Sequence, residues 1–430
     1  MLQTITGLTR DAVRAGLLTA LRWRGVFTGR ILDPGMIANP YPTYAWVREA
    51  GPVTGNDVSL VTARHGVANA ILRHPGVATA TAMRRAILAR TPAWQRWLFG
   101  APPRGELVEP IGPESMIGMD GADHARLRSL ASPAFSTAAV AALRPRVEAI
   151  AAGSSRAPAA SPPSISWTPP PAPCRCPSSA TCSGFLTPTP RACAPGAARS
   201  PPTSTPSPPS RRQRAATAAL AELHFFFGAL IAQRRRDPRD DLLSRLVAAE
   251  AEEDRLTERE LMGLCILLLF AGFETTVNLI GNGTMGLLQH QEQAALLRED
   301  PGRIPGAVEE MLRWDAPVQM VARVATMDVD AAGAHLPEGQ VVSVFLGGAN
   351  RDPEVFPAPD AFDVERPNAR RHLAFAAGPH HCLGAGLARL ESEVAFATLL
   401  DRLPQLRLAG PARRRPTFVL RGYAHVPLAS

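Results

Sequence analysis

The most continuous apolar pattern in the chain runs from Leu261 to Phe273, where hydrophobic residues fall on every side of a helical projection before Glu274 interrupts them. Just upstream, Thr257 and Glu260 have the spacing of a capping box, in which each residue satisfies the other's backbone N–H. The pattern therefore predicts one long helix from Thr257 to about Gln291, apolar all round and crossing a core. The run is too short for a bilayer, so no membrane span is expected. Gly272 sits inside this helix, where it costs about 1 kcal/mol relative to alanine. A mid-helix glycine implies a packing or functional reason.

Other segments have weaker signatures. Residues 39–53 (NPYPTYAWVREAGPV) read as a loop and a short helix, and Val58–Thr62 as a strand. Asp123–Leu130 begins a helix, and Ser129–Ser136 leads into another over Thr137–Ala152. Arg211–Glu250 is helical, with one helix over Ala215–Arg234. A helix from Pro305 to Trp314 is closed by Pro317. Val318–Val329 and Gln340–Leu346 alternate like strands joined through Pro337-Glu338-Gly339. A last long helix runs from Leu383 to about Leu400. Many helices with a minor β-sheet region predict a mainly α chain of α+β class, one domain over 1–430 with a leader at 1–38.

One window breaks the pattern. Residues 153–210 contain 16 of the 42 prolines, four of the six cysteines and no acidic residue. No helix runs through Pro169-Pro170-Pro171. Three readings compete: a Pro/Ser-rich insertion, a zinc site, or a compensated frame shift. The zinc reading is weak because Cys174, Cys176, Cys182 and Cys193 lack paired spacing and no histidine lies among them. The frame shift is favoured, because Pro, Ala, Arg, Ser, Thr and Cys are what a GC-rich gene yields out of frame.

Charge adds little. The net charge is +8, all 46 basic residues are arginines, and they are scattered. With three tyrosines and no interleaving of aromatic and basic residues, nucleic-acid binding is not expected. A basic surface does favour an acidic protein partner. Arg10, Asp11 and Arg14 exclude a secretory signal. Six cysteines in 430 residues are no disulfide framework. A cytoplasmic protein is the default.

The chemistry concentrates in FAAGPHHCLGAGLAR, residues 375–389. Cys382 lies between Gly378 and Gly384 and leads into a helix. Backbone N–H groups and the positive helix end would lower a thiol pKa there. The alternative is a buried structural cysteine, as Cys265 is expected to be.

This stretch resembles the haem-binding loop of the cytochrome P-450 superfamily, F-x-x-G-x-H-x-C-x-G, at Phe375, Gly378, His380, Cys382 and Gly384. The glycine often found after the phenylalanine is Ala376 here. Further motifs follow in order. Ala271–Thr276 (AGFETT) resembles the oxygen-activation segment of the family's central helix. Glu310 and Arg313 resemble its ExxR pair, with Arg366 as third member. His124 and Arg128 resemble its HxxxR, and Arg323 another contact to a haem propionate. The resemblance runs from about Asn39 to the C-terminus and fails across 153–210.

The resemblance implies the cytochrome P-450 fold, with haem b between the long central helix and the helix after the Cys loop. Cys382 would ligate the iron as thiolate, whose electron donation favours O–O cleavage. Glu274 and Thr275 would deliver protons, and Gly272 would open a groove for oxygen. His124, Arg128, Arg323 and His380 would be cationic partners of the propionates. Gly384 would admit the flat cofactor, Phe375 would shield the thiolate, and Glu310, Arg313 and Arg366 would form a buried network beneath the loop. The implied reaction inserts one atom of O2 into a C–H bond of a hydrophobic small molecule. Electrons would come from NAD(P)H through a ferredoxin and its reductase, docking near Arg370, Arg371 and Arg389. Pocket positions would include parts of Thr79–Ser115, Phe273, Val277, Val318–Val321 and the tail near Tyr423. In the family, the region of 153–210 supplies lid helices. The alternative is therefore a haem-binding but catalytically impaired or uncoupled remnant.

Overall fold

The computed structural model describes residues 34–55, 59–79, 82, 108, 110, 112, 114–154, 164–166, 210–251 and 256–429. Helices α1 (Pro34–Ala38) and α2 (Tyr41–Glu49) lead into strands β1 (Thr54–Gly55) and β2 (Ser59–Thr62), helix α3 (His65–Arg73) and strand β3 (Val77–Ala78). Helices α4 (Gly121–Ala131) and α5 (Thr137–Ser154) follow, then strand β4 (Ser164–Ser166). Next come α6 (Ser210–Arg236), α7 (Leu242–Ala251), α8 (Glu258–Gln289), α9 (Gln291–Glu299) and α10 (Ile304–Trp314). Strands β5 (Met320–Ala325), β6 (Val329–Ala331), β7 (Ala334–Leu336) and β8 (Val341–Phe345) precede the short α11 (Leu346–Ala349). A largely irregular stretch then reaches α12 (Ala385–Arg402), and β9 (Arg407–Leu408), β10 (Arg413–Arg414) and β11 (Tyr423–Ala429) close the chain.

The capping box on α8 forms as its sequence requires. Thr257 Oγ1 accepts the Glu260 N–H, and the Glu260 carboxylate accepts the Thr257 N–H. The helix joins two cores. Its N-terminal half packs among Leu223, Phe227, Leu230, Leu243 and Leu246 of α6 and α7. Its C-terminal half packs with Met311 and Leu312 of α10 and Phe396 of α12. Gly283 makes that second approach possible: a Cβ there would lie 2.6 Å from both Met311 Sδ and Phe396 Cζ. By length and composition, α8 and the segment Ala216–Arg236 could cross a membrane. Most of α8 is buried in this chain's own cores, which accounts for its apolarity.

The main sheet has the order β1-β2-β8-β5-β3, with β2 and β8 parallel and the other pairs antiparallel. Register sets Arg323 of β5 opposite Val342 of β8. The expected single strand over 318–329 is instead β5 followed by a separate hairpin, β6–β7. Its two-residue turn, Ala332-Gly333, has both φ angles positive, as the twist of a tight hairpin demands. The turn at Pro337–Gly339 therefore joins β7 to β8. Near the C-terminus, β11 pairs with β9, β10 and β4.

The leader, apart from residues 34–38, lies outside the described residues. So do the four window cysteines and most of Thr79–Ser115. Within 153–210 the described residues are 153, 154, 164–166 and 210.

Candidate active site

Cys382 lies two residues beyond a short helical turn, Gly378–His380; the residue is exposed, although protein atoms crowd its sulfur. Its backbone is fixed: the Cys382 N–H donates to the Phe375 carbonyl at 2.9 Å. Gly378 has φ +70°, and a Cβ there would meet the Leu72 carbonyl oxygen of α3 at 2.2 Å, so only glycine lets the loop lie this close. Ala376 also lies in the left-handed region, at φ 57°. Gly384 has an ordinary φ of −84° and caps α12, and a Cβ there would meet only Phe135 at 4.0 Å. Neither backbone shape nor protein packing requires glycine at that position.

The expected lowering of the Cys382 pKa is not observed. Desolvation by the surrounding protein raises it, and the Gly384 N–H, Arg128 and Arg389 only partly offset this. Cys265 is a buried structural cysteine, with its thiol pushed up to about 12 by burial.

The middle of α8 carries an accessible stripe between its two buried halves. Ala271 is exposed, and Leu268, Gly272 and Thr275 are partly exposed. These positions, i, i+3, i+4 and i+7, line one face of the helix. Phe273 and Val277 are also partly exposed. Thr275 Oγ1 donates back to the Ala271 carbonyl at 2.6 Å. Glu274, 6% exposed, forms an ion pair with Arg415, which follows β10. One turn along, Asn278 is fully buried with both amide atoms unpartnered. Tyr423 is buried in the C-terminal core, so the tail meets Val318 through Leu420 instead.

A second cluster gathers beside the Cys loop. The His124 and His380 rings lie 4.1 Å apart. His380 Nε2 is 3.1 Å from Asp120, whose carboxylate also accepts from the Thr79 N–H and hydroxyl, each at 2.9 Å. Burial pushes the Asp120 pKa up, but these bonds outweigh it and hold the carboxyl below its usual range. Arg128 donates to the His381 carbonyl at 2.8 Å and so ties α4 to the loop. His124 departs from expectation: burial, then His380 and Arg128, press its pKa down to about 4. At neutral pH it is an uncharged imidazole that offers an N–H. Arg323 is 8% exposed and donates to the Ala322 carbonyl. No carboxylate among the described residues pairs with it, and burial lowers its pKa to about 10.

Glu310 and Arg313 are fully buried and doubly bonded, at 2.6 and 2.7 Å. Arg366 reaches Glu310 at 3.2 Å. The two arginines also donate to the carbonyls of Asn350, Pro357, Ala358, Pro359 and Ala361. The network therefore holds the irregular segment around 350–366. The link from α10 to the Cys loop is made by the neighbouring Glu309, bonded to His372 and Arg389. Arg370 and Arg371 are exposed, whereas Arg389 is committed to Glu309.

The family model described as Cytochrome P-450 matches residues 202–406. Over 420 residues the chain is 38% identical to cytochrome P-450 140 of Mycobacterium tuberculosis, covering 94% of this chain and 92% of that protein. The chain belongs to the cytochrome P-450 family. It is also 35% identical to the cytochrome P-450 monooxygenase PikC of Streptomyces venezuelae over 431 residues, 93% of this chain and 94% of PikC. Among solved structures it resembles P-450BioI in complex with hexadec-9Z-enoic acid ligated acyl carrier protein. The TM-score is 0.79 at 31% identity, covering 92% of this chain and 99% of the other.

The fold is that of the family, and like its relatives this P-450 is a haem b monooxygenase. The residues present fit that group. The thiol of an exposed cysteine is the soft donor that iron of this type takes. Arg323 is a buried cation without a carboxylate partner among the described residues. The accessible stripe on α8 is a face the protein's own side chains leave uncovered. Sequence reading missed Asp120, Glu309, His372, Asn278 and Arg415. The doublet Glu309-Glu310 and the run Arg413–Arg415 were the available signals.

Proposed function

We propose that this P-450 inserts one oxygen atom from O2 into a C–H bond of a hydrophobic small molecule, with Cys382 as the residue that would hold the haem iron. The exposed Cys382 carries this reading: its backbone is pinned to Phe375, and the described residues hold no cluster of three or more His, Cys, Asp or Glu that could bind a metal otherwise. When bound, the haem supplies the oxygen-activating chemistry, and the protein supplies position, access and protons. Arg323 and Arg128 give the propionates their positive charge, while His124 and His380 give N–H donors. Phe375 packs against the loop and limits water. Glu310, Arg313 and Arg366 keep the segment before the loop in place.

Proton supply falls to Thr275 and Glu274. The Thr275 hydroxyl is bonded to a helix carbonyl, so its hydrogen must leave Ala271 to serve a substrate-side acceptor. Glu274 is held by Arg415; released from that pair, its carboxylate takes a proton from solvent and passes it to Thr275. A hydrophobic substrate is supported by the apolar character of Leu268, Ala271, Phe273 and Val277, and by the long acyl chain in the P-450BioI complex. Electrons arrive from NAD(P)H through a ferredoxin and its reductase. The exposed Arg73, Arg370 and Arg371 are the cations an acidic ferredoxin would meet near the Cys loop.

The test is the absorption spectrum of dithionite-reduced protein with and without carbon monoxide. A strongly red-shifted Soret band is the expected signature of thiolate ligation by Cys382. Its replacement by a shorter-wavelength band refutes the assignment.

A further inference from the structure

Glu309 and Glu310 are adjacent on α10 and serve different partners. Glu310 binds Arg313 and Arg366. Glu309, 2% exposed, accepts from Arg389 Nε at 2.6 Å, from Arg389 Nη2 at 3.2 Å and from His372 Nε2 at 3.0 Å. The tautomer of His372 follows from its other nitrogen. Nδ1 accepts the Ala374 N–H at 3.1 Å, so Nε2 carries the proton it donates to Glu309.

Both partners of Glu309 then grip one ring. The Arg389 guanidinium carbon lies 4.7 Å from the centroid of Phe375, and the His372 ring 5.6 Å from it. The carbonyl of that phenylalanine holds the Cys382 N–H. A continuous chain of contacts therefore runs from Glu309 through Arg389 and His372 to Phe375 and the backbone of Cys382. Charge follows the same path, because Arg389 acts on the Cys382 sulfur and Glu309 acts on Arg389. Burial pushes the Glu309 pKa up, but the bonds from His372 and Arg389 prevail and hold it at about 2.

We propose that Glu309 is a positioning residue for the haem thiolate: it fixes the pair that clamps Phe375, and its charge offsets that of Arg389 beside Cys382. This inference rests on Cys382 as the haem ligand. The two fail separately, since the parent protein's ferrous–CO band tests the ligand before any variant is made.

The experiment measures haem midpoint potential and CO-band position in the parent, E309Q, R389Q and the double variant. Losing a nearby negative charge favours the ferrous state. E309Q should raise the ferrous/ferric ratio at fixed potential by about tenfold, equivalent to about 59 mV for one electron. R389Q should move it the opposite way, and the double variant should lie between. A simple loosening of structure would shift both single variants in the same direction. That outcome, or parent-like potentials in both, overturns the proposal. If E309Q holds no haem, R389Q decides alone: a lowered potential supports the inference and an unchanged one refutes it. Failure of both to load haem, with no rescue by E309D, assigns these residues to folding and also overturns it.

Discussion

Arg415 closes an ion pair with Glu274 of α8 across 141 residues of chain, and the two side chains are 13% and 8% exposed. The pair joins the C-terminal arm to the segment proposed to move protons. Removing the cation leaves a buried carboxylate without its counter-charge, a loss of about 3–5 kcal/mol in comparable pairs. Arg415→Gln should therefore lower the thermal midpoint clearly while keeping the ferrous–CO band, which reports ligation by Cys382. Thermal melts alongside CO spectra check this. An unchanged midpoint would mean that the pair contributes nothing to stability.

Thr275 donates its only hydroxyl hydrogen to Ala271. If that hydroxyl serves proton delivery during turnover, Thr275→Ala should cut product formation on the order of 10²-fold. NAD(P)H consumption should continue, with peroxide as the sink, and Thr275→Ser should recover most of the product. Product and peroxide measured per NAD(P)H decide the matter. Full coupling in the alanine variant would reduce Thr275 to a helix residue bonding back on its own turn.

The loop before Cys382 contains one residue that fits its backbone and one that does not. Ala376 adopts φ 57°, which costs a non-glycine residue about 1–2 kcal/mol. Glycine relieves this but adds unfolded-state entropy worth about 0.5–1 kcal/mol. Ala376→Gly should stabilise the chain by about 0.5–1 kcal/mol in chemical denaturation. Gly378→Ala should do the reverse, by roughly 2–5 kcal/mol, since its Cβ meets backbone of α3 at 2.2 Å and neither side can yield.

The Glu310–Arg313 pair is fully buried, and Arg313 also satisfies the carbonyls of Asn350, Pro359 and Ala361. Arg313→Ala leaves Glu310 only Arg366 and the Asp363 N–H, and strips the Asn350 and Pro359 carbonyls of their arginine donor, at a cost of about 3–5 kcal/mol. Asn350 is one residue of that segment, and its side chain holds the Leu373 N–H at 2.6 Å, so the damage reaches the Cys loop. Little haem-loaded protein is expected, and haem content per chain measures it. Normal occupancy would remove the network from the haem site.

What was legible beforehand follows from the range of the interactions. The central helix was readable because a capping box and all-round apolarity are local signals. The motif residues were readable because their spacing is local too. The β6–β7 hairpin was not, since three-residue strands around Ala332-Gly333 lack the Asn-Gly or Asp-Gly that marks such a turn. The C-terminal sheet was missed because β9 and β10 are two residues each. Glu309 lies 63 and 80 residues from its partners, so nothing near it in the chain distinguishes it from a surface acid. The reading of residues 153–210 as an insertion or a frame shift stands on composition alone, and the nucleotide sequence across them tests it.

His124 gives the site a pH dependence of defined sign. Its pKa falls from 6.5 to about 4, through burial first and then the charges of His380 and Arg128. Between those values the unfolded chain binds a proton that the folded chain refuses. Stability is therefore full above pH 6.5 and falls as the pH drops toward 4. The buried carboxylates act lower. Glu309 falls from 4.5 and Asp315 from 3.8, each to about 2, because bonds and charges from His372 and Arg389, or from Arg421 and Arg414, outweigh burial. Their contributions are present above those unfolded values and are lost as the pH falls toward 2. Haem-free protein should thus lose thermal stability in two overlapping stages, one between pH 6.5 and 4 and one between pH 4.5 and 2. His124→Gln should shrink the first stage, which His65 and His381 share because burial lowers both, and leave the second. Loading haem brings propionate charge beside His124, favours its protonated form, and should also shrink the first stage. Thermal melts across pH for the stripped, loaded and variant proteins check each arm. An upper stage unchanged by haem would place the propionates away from His124.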